Sequence, residues 1–185
     1  MLDLFIELGN LKKLKRAGWI LRGIPNPESI ADHSFRTAII TLYLADELRR
    51  RGLQIDPDRA VRIALLHDVG EARITDIPLS ALRYVDKSKA EIKAVADLLK
   101  LGPAPEEYYR LWLEYHEEST PEGRLVRFAD KLEMLIQALE YESQGVGNLE
   151  EFWKVLPLLK ESEFYPYFED ILKTLVELRS KKRSL

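Results

Sequence analysis

Asp32-His33, His67-Asp68 and Asp130 place two imidazoles and several carboxylates at three separated points of a chain that has no cysteine. Imidazole nitrogen and carboxylate oxygen without thiolate make a donor set for a divalent cation such as Mn, Co, Mg, Zn or Fe. The densest piece lies around His67, where Asp68 follows directly and Glu71 stands one helical turn further on. On a helix those intervals gather the three side chains. The pair ends an apolar block of Val61, Ile63, Ala64, Leu65 and Leu66, a setting in which an imidazole and a carboxylate are costly to desolvate unless a cation or hydrogen bonds compensate them. Taken alone, the dipeptide favours a structural use, with His67 capping a helix and Asp68 paired to Arg73. Asp32-His33 upstream and Ala129-Asp130-Lys131 downstream shift the balance, because each again sets ionisable groups beside or within an apolar helical pattern.

The elements that must hold these residues read as helices. Apolar residues recur at helical spacing along nearly the whole chain and alternating patterns bounded by turns are scarce, so the expected fold is all-α, a compact single-domain helical bundle. A first helix is expected over residues 2–14, then an irregular connection over 16–28 with Gly18, Gly23, Pro25 and Pro27, of a length that usually serves function. Ser29 or Asp32 caps the next helix, whose apolar positions are Ile39, Ile40, Leu42, Leu44 and Leu48 and which Gly52 ends. Pro57 opens a third helix, expected to be central and buried. Gly70 and Pro78 bracket a break at residues 74–78, and helices follow over 88–101 and 105–116. Pro121 opens the helix carrying Asp130, with the stripe Leu125, Val126, Phe128, Ala129, Leu132, Leu135, Ile136 and Leu139, stopped by Gly145 and Gly147. The remainder, rich in aromatics, reads as one or two amphipathic helices over the core. One domain spans residues 1–185, its core at about 8–170 and a terminal helix to about 180.

Composition bounds the function. With 46% hydrophobic and 32% charged residues, the 185-residue chain falls among globular proteins. A net charge of −3 offers no basic excess for extended nucleic acid, although Lys181, Lys182 and Arg183 make a small cationic tail. No apolar run approaches the roughly 20 residues of a membrane span, and Asp3 and Glu7 stand where a secretory leader would be positive, so a cytoplasmic location is expected. His116 lies outside the ligand pattern and reads as an exposed or capping residue. Tyr108, Tyr109, Trp112 and Tyr115 read as core or a subunit interface, Glu114, Glu117 and Glu118 as a solvated face, and Arg36 as the partner of an acidic neighbour.

The order and spacing of His33, His67-Asp68 and Asp130 resemble the HD-domain metal-dependent phosphohydrolase superfamily. The phrases GWILRGIPNPESIADHSFR, ALLHDVGEARITDIP and FADKLEMLIQALEYE extend the likeness over residues 8–170 to its 5'-deoxynucleotidase branch, which includes the small HD domain-containing protein 2 group. The resemblance implies one divalent ion held by His33, His67, Asp68 and Asp130, with a metal-bound hydroxide as nucleophile. Glu71 would orient the water, pass a proton to the leaving 5'-oxygen or hold a second cation. Asp76 and the carbonyl of Ile77 would join that second metal, or Asp76 would face the sugar. Trp19 corresponds to a tryptophan beside the sugar, where an indole disfavours a 2'-hydroxyl; core packing is its other reading. In bacterial members an arginine precedes that tryptophan and contacts the phosphate, but here Gly18 stands in its place. Arg16, Arg22 and Lys131 are the candidates to supply the missing cation.

The implied reaction is hydrolysis of 5'-phosphates of nucleosides, preferably 2'-deoxynucleoside monophosphates of broad base identity, by a homodimer whose aromatic C-terminal helices supply the interface. Two other readings stand beside it. A phosphodiesterase or pyrophosphohydrolase of the same superfamily, acting on a cyclic or hyperphosphorylated nucleotide, would carry an HD-GYP signature and more histidines. A non-catalytic nucleotide-binding regulatory domain would not need all four ligands and Glu71.

Overall fold

Ser29 starts the helix that carries the first histidine. Its hydroxyl accepts the Asp32 N–H at 3.1 Å, while the Asp32 carboxylate accepts the Ser29 N–H at 2.8 Å. This reciprocal capping box assigns Asp32 to the helix start. The computed structural model describes residues 1–146 and 148–183, the last two without side chains. Gly147 and the Lys182 and Arg183 side chains therefore lie outside the described residues.

In chain order the helices are α1 (Leu2–Leu8), α2 (Ala17–Ile20), α3 (Ile30–Arg50), α4 (Pro57–Leu66), α5 (Glu71–Ile74), α6 (Lys87–Leu99), α7 (Pro105–His116), α8 (Pro121–Ser143), α9 (Glu150–Trp153), α10 (Leu156–Glu161) and α11 (Tyr165–Arg183), with 3-10 turns at Gly9–Lys12 and Leu79–Ala81. No β-strand forms among the described residues; Lys15 and Ser29 make an isolated antiparallel bridge. The all-α expectation holds. Helices α3, α4, α7 and α8 pack together as the central bundle, α1, α5 and α6 close one end, and α9, α10 and α11 cover α8 at the other.

Several local expectations change. The first helix gives way after Leu8 to the 3-10 turn at Gly9–Lys12, which turns Leu11 into the core; Gly9 is a poor residue for continuing an α-helix. Residues 16–28 contain the one-turn α2. On α3 the buried face is His33, Thr37, Ala38, Thr41, Leu44, Ala45 and Leu48, whereas Ile39 is exposed. Small residues and threonines let α3 approach α4 and α8, so the phase of the helix follows them. Leu65 on α4 is exposed for the same kind of reason, since Ala60, Ile63 and Ala64 face the bundle. The C-terminal portion forms three helices, with non-helical backbone at Phe168. Trp153, Phe164 and Phe168 are buried in the core, while Leu158, Ile171 and Leu178 of the same C-terminal helices are exposed.

Glu114 is buried as well, contrary to a solvated face. It receives Arg59 Nε at 3.0 Å and the Thr120 hydroxyl at 2.9 Å. A Cβ on Gly123 would meet the Glu114 carbonyl oxygen at 2.0 Å, so a glycine is required for α7 and α8 to meet where Glu114 sits. Arg73 pairs with Glu7, with Nε 2.6 Å from Oε2, and leaves Asp68 to other partners. His116 ends α7, stacked on Trp112 and 3.0 Å from the Ser88 hydroxyl. No described helix is long and apolar enough to cross a membrane.

The bonds from Ser29 hold the Asp32 carboxyl below its ordinary value. They favour the ionised form in the folded chain, so their contribution is complete above the unfolded value of about 3.9 and is lost as pH falls through the lower folded one. Ser29→Ala should cost about 1 kcal/mol at neutral pH in urea unfolding. The gap from the parent should narrow in the same measurement at acid pH.

Candidate metal centre and its pocket

Three helices deliver the ligand candidates to one point. The capping box sets His33 in the first turn of α3, its side chain fully buried. His67 follows the last residue of α4, and its Nδ1 lies 2.6 Å from the Ala64 carbonyl oxygen. A carbonyl only accepts, so Nδ1 carries the proton and Nε2 presents its lone pair to the site. On His33 the same orientation comes from Glu133, whose carboxylate bonds Nδ1. Glu133 lies three residues after Asp130 on α8, is completely buried, and also accepts Arg36 Nε at 2.8 Å.

His33 Nε2, His67 Nε2 and an Asp130 oxygen all lie within 4.8 Å of one another. Asp68 Oδ2 is 3.2 Å from His67 Nε2 and 3.7 Å from His33 Nε2. Tyr115 on α7 donates its hydroxyl to Asp130 Oδ2 at 3.0 Å, which leaves Oδ1 turned toward His33 at 3.1 Å. Yet His33 Nε2, His67 Nε2 and Asp68 Oδ2 are buried without a properly directed hydrogen bond. Each such atom ordinarily costs about 1–3 kcal/mol. Their convergence is the arrangement a divalent cation satisfies, and two imidazoles with two carboxylates fit one chemically.

The electrostatics agree. Burial opposes charge on Asp68 and Asp130, but the two imidazoles and Arg16 outweigh it and hold both carboxyls well below the usual range. Burial and Arg16 oppose a proton on His33, while Asp130 and Glu133 raise it to about 10. The cluster thus draws positive charge to its centre. Glu71 behaves oppositely: burial, then the Asp68 carboxylate, push it up to about 9. Its Oε2 is buried and unpaired, and Oε1 is 3.5 Å from Lys87 Nζ.

Asp68 and Asp130 of the cluster, with Arg16, Glu71 and Tyr115, line a cavity of about 870 Å³. An HD domain family model matches residues 8–158. The chain belongs to the HD domain family. It is 35% identical, over 98% of its length and 88% of the relative's, to the 5'-deoxynucleotidase HDDC2 of Danio rerio. To the 5'-deoxynucleotidase hdd1 of Schizosaccharomyces pombe it is 34% identical over 90% of this chain and 85% of that one. Among solved structures, a conserved hypothetical protein from Pyrococcus furiosus matches with TM-score 0.88 and 48% identity, over 96% of this chain and 99% of that one.

The HD cavity has a mixed lining, with charged Arg16, Asp68, Glu71, Lys87, Arg127, Asp130 and Lys131 beside apolar Trp19, Leu21, Met134, Phe152, Val155 and Leu158. Trp19 packs in the core, its ring centroid 4.0 Å from that of Phe152 and edge-on to Tyr141, and it also borders the cavity. Its indole N–H donates to Glu28 at 2.9 Å. Arg16 reaches the cluster, 3.5 Å from Asp68 Oδ2. Arg22 instead pairs with Glu151 at the rim. Asp76 and Ile77 both border the cavity, but Asp76 Oδ2 already accepts the Ala17 N–H at 2.6 Å and fastens α2 in place. Lys131 borders it beside Asp130, its ammonium pKa lowered by burial and by Arg127.

Glu133, Tyr115, Glu28 and Arg127 were not legible as site residues. A glutamate inside the buried stripe of α8, one turn after Asp130, was the available signal for Glu133. Tyr115 lay within an aromatic pattern that reads as core. Because Glu133 orients His33 without touching the cation position, Glu133→Gln should weaken divalent-metal affinity about 10- to 100-fold. Titration with Mn or Co against a competing chelator measures this, with helical content unchanged.

Proposed function

We propose that this HD-domain chain is a metal-dependent 5'-deoxynucleotidase that converts 2'-deoxynucleoside 5'-monophosphates to nucleosides and inorganic phosphate. The observation that carries the reading is one cavity lined both by the carboxylates Asp68 and Asp130, which adjoin the unpaired imidazole nitrogens of His33 and His67, and by the apolar Trp19, Phe152, Val155 and Leu158. A nucleotide likewise joins an anionic phosphate to a flat, largely apolar base. The activity named for the zebrafish and fission-yeast relatives supports it.

His33, His67, Asp68 and Asp130 would hold the cation, and Mn, Co, Mg, Zn or Fe suits that donor set. When bound, it supplies Lewis acidity, acidifying water and stabilising charge on phosphoryl oxygens. Glu71, whose protonated form is favoured by burial and then by the Asp68 carboxylate, would give its proton to the leaving 5'-oxygen. Arg16 neutralises the carboxylates that line the cavity. Trp19, buried beside Phe152 at the edge of the cavity, would back an apolar wall where a 2'-hydroxyl finds no partner, while Asp76 fixes the loop that carries it. The base rests among Met134, Phe152, Val155 and Leu158, which read no hydrogen-bond pattern, so base identity matters little.

The reading includes action as one HD domain over the whole chain, a cytoplasmic location beside nucleotide pools, and a homodimer. Exposed Phe35, Ile39 and Tyr43, one turn apart on α3, support the last.

Metal-stripped protein resupplied with Mn or Co should release phosphate from dAMP faster than from AMP. Glu71→Gln should lower kcat about 10²- to 10⁴-fold with metal content intact, whereas His67→Ala should lose the metal itself. Opening of a cyclic dinucleotide to its linear form, or release of pyrophosphate from a guanosine polyphosphate, with no phosphate released from any monophosphate, would overturn the assignment.

A further inference from the structure

The cations bordering the cavity do not share one situation. Arg16 lies against Asp68, Arg22 pairs with Glu151, and Lys87 stands 3.5 Å from Glu71 and 3.3 Å from Glu91. Each has a carboxylate of its own. Lys131 is largely buried, borders the cavity, and makes no hydrogen bond or ion pair among the described residues.

Arg127 stands one turn earlier on α8 and borders the same space. Its guanidinium lies 4.2 Å over the Tyr115 ring, and one terminal nitrogen donates to the Tyr115 hydroxyl at 3.0 Å. Nε, 3.3 Å from a Glu118 oxygen, makes no hydrogen bond. Stacking and bond together fix the direction of this cation. Like charges four residues apart on a helix repel, and withdrawal from water strengthens the repulsion. An anion shared by the two relieves it. Asp130 lies between them in the chain, so an anion held there adjoins the metal cluster.

We propose that Lys131 and Arg127 form the subsite that grips the substrate's phosphate, supplying from α8 the cation that the loop lacks at Gly18. The proposal rests on the nucleotidase reading for the identity of its ligand, a phosphate monoester. Non-bridging phosphoryl oxygens carry the charge and the acceptors that an ammonium and a guanidinium satisfy. Gly18 itself is covered, since a Cβ there would meet the Phe152 ring at 3.4 Å.

The test is calorimetric titration of the Mn-loaded full chain with inorganic phosphate, the reaction's product, beside dAMP kinetics. Lys131→Met, close in length but uncharged, should weaken phosphate binding and raise KM about 10- to 100-fold, with Mn content unchanged and kcat affected less than KM. Lys131→Arg should recover most of the binding. Lys154→Met, which removes an exposed cation at the rim, should match the parent. Unchanged phosphate affinity in Lys131→Met, or an equal loss in Lys154→Met, overturns the subsite. If the parent releases no phosphate from dAMP while Lys131→Met still loses phosphate binding, the nucleotidase reading fails and the subsite stands.

Discussion

The buried contact between Glu133 on α8 and His33 on α3 is the constraint on which the rest of the site depends. A carboxylate with no solvent access is tolerable because it has an imidazole N–H and the Arg36 guanidinium as partners. Those partners lie on one helix face, one turn apart. The interaction therefore does two things at once: it pins α3 against α8 through the middle of the bundle, and it selects the tautomer that points His33 Nε2 at the cluster. Arg36 extends the same grip along α8 to Gln137 and Glu140, at 2.6 and 2.8 Å. Ligand orientation and helix packing are thus one structural fact rather than two.

A second, partly buried carboxylate ties the Trp19 segment into that frame. Glu28 accepts the Trp19 indole N–H, while its backbone N–H donates to the Tyr141 hydroxyl at 2.8 Å. Burial and the neighbouring Glu133 raise its carboxyl to about 7. The segment over residues 16–28 has little regular structure, yet its wall-forming indole is fixed from three sides by Glu28, Phe152 and Tyr141. A wall held in this way is pre-shaped, which lowers the ordering cost for a ligand entering the cavity. Asp76 contributes from the opposite side by holding the start of α2.

Much of this was legible from residue types and intervals. Helical periodicity, the Ser29 cap, Pro57, Pro105 and Pro121 at helix starts, and Gly52 at a helix end are local signals, decided within a few residues by backbone sterics and capping hydrogen bonds. The pattern His33, His67-Asp68, Asp130 was equally local in its chemistry, because no thiolate competed for a cation. What stayed hidden depended on partners distant in the chain. Whether Asp68 faced Arg73 or Arg16, whether Glu114 was solvated or buried, and whether Tyr115 was mere core turned on how α7 crosses α8 at Gly123 and how the 16–28 segment folds back.

The chain by itself therefore determined the donor set, the helices and the family to which they belong, since those follow from short-range geometry and the identity of the atoms offered. Tertiary structure alone decided orientation. It turned both Nε2 atoms inward, placed Arg16 on the cluster and Arg22 at the rim, and left Lys131 without a carboxylate beside the cavity. Burial and charge compensation depend on which helices share an interface, and residues such as His33 and Glu133, one hundred positions apart, acquire a common environment only when the bundle closes.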